Sequence, residues 1–428
     1  MTAQPSLYVG IDLGTSGCRA IAIDEQAQIV CNLAINWPAP TVEGARVEQD
    51  PQIWWQTVQS LLRQLVQTVP ARQICAICID GTSGTVLLAD KQGRPLAPAL
   101  MYNDARAVEE ARSLQGLAPA ESAVHSASAG LPKLLWLKQQ GFAKQASHFL
   151  HQADWITGML SGRFDVSDHN NALKSGYDPI QQKWPDWLTS LNIPTGWLPR
   201  VVAPGTPIGN LRDEIIQEFG FAAETRLLAG TTDSTAAFIA TGASQPGEAV
   251  TSLGSTLVLK IICERPIYDS HAGVYSQPYG QYWLVGGSSN SGGKLLRDFF
   301  SDVQMQQMQE QLDINTPTGL NYYPLPQIGE RFPTNDPSML PRLEPRPDND
   351  VKFFQGLLEG IAHIEKTGYE KLHQLGAPWP ISIRSVGGGA KNLLWTEMRK
   401  RLINVPMLNA QHTDAAYGVA LLAKQCRL

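Results

Sequence analysis

The feature that most constrains this chain is a recurring pair: a short apolar run, the length of one buried strand, closed by a turn of small residues that carries an acid or hydroxyls. Leu7-Tyr8-Val9-Gly10-Ile11 reads as such a strand and runs into Asp12-Leu13-Gly14-Thr15-Ser16-Gly17. There Gly14 and Gly17 permit a tight turn whose bare amides can approach anionic oxygens. Arg226-Leu227-Leu228-Ala229 leads into Gly230-Thr231-Thr232-Asp233-Ser234-Thr235, and a further apolar run into Ser252-Leu253-Gly254-Ser255-Thr256. Val386-Gly387-Gly388-Gly389-Ala390-Lys391-Asn392 sets glycines in succession, which a close backbone approach or an unusual turn requires. Turns favour these residues for their own backbone hydrogen bonds, so one such turn decides little. Their order along the chain decides more.

At 428 residues the chain exceeds the ~250 to 300 residues that one hydrophobic core usually serves, so two domains are expected. Strand-like runs at 7–12, 18–24 and 28–36 precede a helix that begins near Asp50-Pro51, with Trp54, Val58, Leu61, Leu62 and Leu65 at helical spacing. Asp50 suits an N-cap and Pro51 the first helical position. Ile74 to Asp80 and Thr85 to Ala89 read as further strands, giving a βββαβ order. A second copy is expected to begin at Arg226-Leu227-Leu228-Ala229, to run through Ala249 to Leu253 and Leu257 to Cys263, and to include Tyr282 to Val285. Phe353, Phe354, Leu357, Leu358, Ile361, Ile364 and Leu372 predict a long helix ending at Gly376, with His363 as a structural histidine near the core. Thr413-Asp414 can cap a last helix carrying Ala416, Val419, Ala420 and Leu422.

Several function classes are disfavoured. A net charge of −5 and a pI near 5.9 give no broad positive field for a nucleic-acid backbone. No stretch approaches ~18 consecutive apolar residues, and Met1 to Ser6 lacks the charged-then-apolar pattern of a secretory leader. The expectation is a cytoplasmic protein, or a stromal one if a transit peptide has been removed. Cys18, Cys31, Cys75, Cys78, Cys263 and Cys426 are scattered, and Cys75 and Cys78 lie three apart on a strand-like run, hence on opposite faces. The histidines show no metal-ligand spacing. Gly287-Ser288-Ser289-Asn290-Ser291-Gly292-Gly293-Lys294-Leu295 lacks both the glycine spacing and the Ser/Thr after Lys of a P-loop.

The ordered set of turns resembles the FGGY family of carbohydrate kinases, within the actin, Hsp70 and sugar-kinase ATPase superfamily. Asp12 to Gly17 matches the first phosphate loop, Ser252 to Thr256 the second and Gly387 to Asn392 the adenosine motif. Tyr102-Asn103-Asp104-Ala105-Arg106, Pro132-Lys133-Leu134-Leu135-Trp136-Leu137, Ala153-Asp154-Trp155-Ile156-Thr157-Gly158 and Leu358-Glu359-Gly360-Ile361 follow the family order, and the resemblance runs from about residue 7 to about 424. It implies an α/β protein with two ribonuclease H-like domains around an interdomain cleft. Residues 5–240 with 412–428 would form the N-terminal sugar-binding domain, and 241–411 the C-terminal nucleotide-binding domain.

The resemblance also implies site residues. Asp233 matches the family's catalytic base; as read from the residues alone it is equally an N-cap for the helix that follows, and both roles can hold at once. Asp12 would face Mg2+, through water because that ion gives up its waters reluctantly, while Thr15 and Ser16 offer hydroxyls and amides to the phosphates of ATP. Gly254, Ser255 and Thr256 would hold the nucleotide phosphates from the other domain. Gly388 and Gly389 would let adenine or ribose lie on bare backbone, Asn392 would hydrogen-bond the base, and Trp395 would stack on it or fill the core. Ser83 would contact the sugar alongside Asp12 and Asp233, with Asp104 as a further candidate.

The acceptor is read from Asp80-Gly81-Thr82-Ser83-Gly84-Thr85-Val86-Leu87. Bacterial-type xylulokinases usually carry Ser-Gly-Gln-Met-His here and glycerol kinases an Asn-Gln-Arg-Glu-like segment. This loop, the short chain and the Asn321-Tyr322-Tyr323-Pro324 to Gly329-Glu330-Arg331-Phe332-Pro333 region instead resemble short D-ribulose kinases. A pentulose, D-ribulose first and D-xylulose second, is the expected acceptor. A catalytically silent sugar or nucleotide sensor and an actin- or chaperone-like ATPase stay as alternatives from other classes.

Overall fold

The computed structural model describes residues 6–425. The chain divides into two compact units, one formed by residues up to Ala240 and from Asp414 onward, the other by Thr241–Thr413. Each is built on a mixed sheet of the same strand order.

In the first unit, β1 (Leu7–Leu13), β2 (Gly17–Ile23), β3 (Ile29–Asn36), β4 (Ile74–Gly81) and β5 (Arg226–Thr232) lie in the order β3-β2-β1-β4-β5. The first three are antiparallel, whereas β4 and β5 run parallel to β1. A short strand, Pro207–Asn210, closes the β5 edge. In the second unit, β6 (Glu248–Leu253), β7 (Leu257–Cys263), β8 (Tyr282–Ser289), β9 (Ser382–Val386) and β10 (Met407–Leu408) repeat that order as β8-β7-β6-β9-β10, with Tyr275–Tyr279 along the β8 edge. Again the first three are antiparallel and the last two parallel to the first. One expectation is corrected here: Arg226–Thr232 does not open the second copy but completes the first sheet, beside β4. Its buried, strand-long apolar run is the same in either assignment, and only pairing distinguishes them.

Local chemistry explains the helices. In α1 (Pro51–Thr68) Asp50 accepts the Gln52 amide at 2.9 Å and Pro51 takes the first turn, while Trp54, Val58, Leu61, Leu62 and Leu65 bury one stripe. That stripe covers one face of the first sheet, together with Ile77 and Ile79 of β4. Ala76 and Cys78 point to the other face, where α2 (Asp233–Ala240) and α5 (Ala415–Lys424) pack. The contact with α5 is close: a Cβ on Gly10 would lie 2.0 Å from the Ala416 carbonyl oxygen and 2.4 Å from the Ala420 nitrogen. Any side chain there would lift the last helix off β1.

In the second unit α3 (Asp350–Gln374), capped by Asn349, buries Phe353, Phe354, Leu357, Leu358, Ile361, Ile364 and Leu372 and ends just before Gly376. α4 (Leu393–Ile403) packs with it through Trp395 and Met398. His363 departs from expectation and is exposed. It falls four residues after Glu359 and four before the exposed Thr367, on the polar stripe of α3, beside a surface cavity of ≈ 420 Å³.

Among the described residues no helix is long and apolar enough to cross a membrane. Cys18, Cys31, Cys75, Cys78 and Cys263 are free thiols. Cys426 lies outside the described residues.

Candidate active site

In the first unit the acidic turns meet at the carboxyl ends of the parallel strands, the edge at which open α/β sheets gather their ligands. The register aligns Asp12 of β1 with Asp80 of β4, and Asp80 with Thr231 of β5. Asp233 follows at the start of α2, its Oδ1 accepting the Ser234 amide at 2.6 Å. A position at a helix N-terminus stabilises a carboxylate, and the side chain stays only partly covered. Asp12 is likewise partly exposed. Gly14 donates to the Gly17 carbonyl at 2.9 Å to close its turn, and Trp37 holds the Thr15 and Ser16 carbonyls through its indole and amide N–H groups at 3.0 and 3.1 Å. The side chains of Thr15 and Ser16 stay exposed.

Asp80, at the end of β4, has no role in the resemblance, but its position gives it one. It is fully buried, and among the described residues no N–H or hydroxyl donor reaches either carboxyl oxygen. Burial, then the Asp12 charge and hydrogen bond, and the charges of Asp233 and Asp168 push its pKa well up. Asp12 is also raised, first by burial, with Asp80 and Arg19 opposing. Burial and the neighbouring acids thus push Asp80 towards its neutral form, while Asp12 keeps a partly exposed carboxyl group at the end of β1. A single hard carboxylate of this kind fits Mg2+ that arrives on nucleotide phosphates and keeps several waters. Among the described residues no group of three or more His, Cys, Asp or Glu is arranged to hold an ion by itself.

The loop after β4 is braced from behind. Gln152 Oε1 accepts the Thr82 amide at 3.0 Å and the Thr82 hydroxyl at 2.8 Å, and Thr82 and Thr85 share a hydroxyl hydrogen bond of 2.5 Å. The buried Lys133 ammonium donates to the Gly84 and Met101 carbonyls at 2.9 and 2.6 Å, and burial pushes it down to about 7. These contacts leave Ser83 partly exposed at the loop tip.

Asp104 does not present a free carboxylate to a sugar, which corrects the expectation for it. It is fully buried, its Oδ2 accepts the Val47 amide at 2.7 Å, and Arg106 engages both oxygens through Nε at 3.0 Å. Arg106 also pairs with Glu48 at 2.6 Å and lies 4.8 Å from the Trp136 ring centroid. Asp104 thus anchors the cluster behind the loop.

His151 shares that cluster. Its Nε2 is 3.1 Å from the Ser175 hydroxyl, and burial first, then Lys133 and Lys174, hold its pKa down to about 3, against an ordinary 6.5. Between those values the unfolded chain binds a proton that the fold refuses, so this stability is complete above pH 6.5 and is lost as pH falls towards 3. Urea unfolding at pH 7 and pH 5 checks it: the wild type should lose about 2 kcal/mol more than His151→Gln over that interval. Equal losses would show that His151 does not resist protonation.

In the second unit, the loop after β6 and Gly388 and Gly389 of the glycine run line one cavity of ≈ 700 Å³, together with Leu253, Phe354, Leu358, Lys391, Asn392 and Trp395. Its size suits a nucleoside with its phosphates. Gly387 has φ +84°, and a Cβ on Gly389 would lie 2.6 Å from the Trp395 ring and 2.8 Å from Leu253 Cβ. The glycines therefore make room for the wall of the cavity itself. Gly254 and Ser255 line the cavity, but Thr256 does not. The carbonyls of Gly254 and Ser255 accept the Gly293 and Lys294 amides at 2.8 and 3.1 Å. Asn392 Oδ1 caps α4 by accepting the Trp395 amide at 2.9 Å, and the Trp395 indole donates to the Leu358 carbonyl at 3.0 Å. Trp395 is thus a fixed, buried wall residue. Arg297, Asp302, Gln306 and Gln309 also line the cavity; they lie in a helical stretch without a motif, and nothing in the sequence alone singles them out.

The two sheets thus share one topology, the first with acids at its carboxyl edge and the second with a glycine-walled cavity beside it in its own unit. The N-terminal domain of the FGGY family of carbohydrate kinases matches residues 7–240 and its C-terminal domain residues 249–424, so the chain belongs to that family. It is 26% identical to the xylulose kinase of Escherichia coli K12, over 92% of this chain and 84% of the relative. The solved structure of a "xyloylose kinase" from Brucella ovis aligns with a TM-score of 0.90 at 25% identity, over 99% of this chain and 91% of that one. A gluconate kinase structure from Lactobacillus acidophilus shares the fold at a TM-score of 0.87 and 20% identity, over 99% and 89% of the two chains.

Proposed function

We propose that the chain is an ATP-dependent pentulose kinase that converts D-ribulose to D-ribulose 5-phosphate. The observation that carries the reading is the meeting of Asp12, the Ser83 loop and Asp233 at one sheet edge. Asp233 accepts the proton of the acceptor hydroxyl; the oxygen forms its bond to the γ-phosphorus as the bond to the bridging oxygen of ADP breaks. Asp12 and Ser83 orient the sugar. Thr15, Ser16, Gly254, Ser255 and Thr256 are assigned to the phosphates, and Gly388, Gly389, Asn392 and Trp395 to the nucleoside. When bound, Mg2+ neutralises phosphate charge, and Asp12 is the residue that would hold it, through water.

D-Ribulose is favoured by the loop Asp80-Gly81-Thr82-Ser83-Gly84-Thr85, and transfer to C5 by the likeness to pentulose kinases. D-Xylulose is the second reading, favoured by the names of several relatives. ADP release with Mg-ATP, measured across D-ribulose, D-xylulose, L-ribulose, glycerol and no sugar, tests both. Stimulation by D-ribulose above the rest is the expected result. A D-xylulose preference would keep the kinase and overturn the acceptor, and no stimulation by any sugar would favour a silent sensor.

A further inference from the structure

The candidate that the mechanism has not used is Lys174. Asp168 Oδ1 caps the short helix His169–Leu173 by accepting the Asn170 and Asn171 amides at 2.8 and 3.1 Å. Asn170 Nδ2 donates to the Thr231 hydroxyl at 2.9 Å, and Asn171 Nδ2 lies 3.3 Å from the Thr231 carbonyl. These bonds fix the helix to the end of β5, two residues before Asp233. Lys174 leaves that helix and turns onto the Ser83 loop: its Nζ is 3.3 Å from the Ser83 carbonyl, and its Cδ lies 3.5 Å from where a Cβ on Gly84 would stand. Burial pushes its pKa down, while attraction to Asp233 opposes the change.

The bond to Ser83 is long and uses one of three ammonium protons. Lys133, the buried cation of this cluster, is occupied by two carbonyls at the rear of the loop, whereas Lys174 is partly exposed. Lys174 is therefore the cation that reaches the Ser83 loop and attracts Asp233, carried by a helix that is hydrogen-bonded to the end of β5.

We propose that Lys174 is an acceptor-binding residue, whose ammonium donates a hydrogen bond to an oxygen of the polyhydroxy substrate between Ser83 and Asp233. The inference rests on the kinase reading above. A bond from a charged donor to a neutral sugar oxygen should strengthen acceptor binding roughly 10- to 100-fold. It should leave nucleotide binding unchanged, since the cavity assigned to the nucleotide is lined by residues 253–395 of the second unit.

The test uses the full chain as wild type, Lys174→Met and Lys174→Arg. Initial rates with D-ribulose and D-xylulose at saturating Mg-ATP are combined with calorimetric titration of each sugar without nucleotide. The expected result for Lys174→Met is an acceptor KM and Kd raised roughly 10- to 100-fold, an ATP KM within about twofold of wild type, and partial recovery in Lys174→Arg. Unchanged acceptor affinity in Lys174→Met would overturn the proposal. So would a parallel rise in both KM values with a lowered melting temperature, which marks a merely structural lysine. Wild-type turnover reports separately on the kinase reading, because the titrations score the lysine whether or not phosphate is transferred.

Discussion

Replacing Asp233 by alanine should leave a folded protein that binds ATP and turns over at least ~100-fold more slowly, within the 10²- to 10⁴-fold range of a lost general base. The effect follows from position. Asp233 is the partly exposed acid at the head of α2, where the helix terminus favours its anion. Asp12 lies on β1 opposite Asp80, away from the head of α2, and is not placed to replace Asp233. Asp233→Asn separates chemistry from structure: the amide oxygen can still accept the Ser234 amide now held at 2.6 Å, but the amide group cannot take a proton. The aspartate-to-asparagine variant should keep the wild-type melting temperature and ATP affinity and share the loss in kcat. Near-wild-type turnover in either variant would remove Asp233 as the base.

The second large effect is on stability. Arg399 and Glu365 are both fully buried, paired at 2.5 and 2.6 Å, and join α4 to α3. Thr251 of β6 donates to Glu365 at 2.6 Å, Tyr369 lies 2.8 Å from the Thr251 hydroxyl, and Arg399 reaches Ser385 of β9 at 2.8 Å. The network thus ties the adjacent strands β6 and β9 of the second sheet to α3 and α4. Glu365→Ala leaves a buried guanidinium without its counter-charge and should destabilise the second unit by roughly 3 to 5 kcal/mol. In the double variant Glu365→Leu/Arg399→Met the uncompensated charge disappears, so most of the loss should be regained. Urea denaturation of the three proteins is the check. A single variant within about 1 kcal/mol of wild type, or a double variant weaker than the single one, would contradict this reading.

Elements governed by nearest neighbours were legible in the sequence. Asp50-Pro51 marks its helix start because cap and first turn are local chemistry, and Gly376 marks the end of the long helix. The sheet that Arg226–Thr232 joins is not legible in the sequence, because pairing with β4 joins residues about 150 positions apart and leaves no periodic trace. The same limit hid Asp80, whose role arises only when the register sets it between Asp12 and Thr231. Asp104 carries the residue type of a ligand, but Arg106 and Val47 fill its oxygens. His363 lies one helical position away from the buried stripe that the apolar pattern predicts for it. Glycines are a more faithful guide: Gly388 and Gly389 do line a cavity, and close approach excludes a side chain at Gly387 and Gly389, though not at Gly388.

The most direct measurement of the central claim is the fate of the phosphoryl group. Purified protein with Mg-ATP and D-ribulose, followed by phosphorus NMR and mass spectrometry, should yield ADP and a pentulose monophosphate in equal amounts, with little free phosphate. ADP with inorganic phosphate and no sugar phosphate, whichever pentulose is supplied, would contradict transfer to a pentulose.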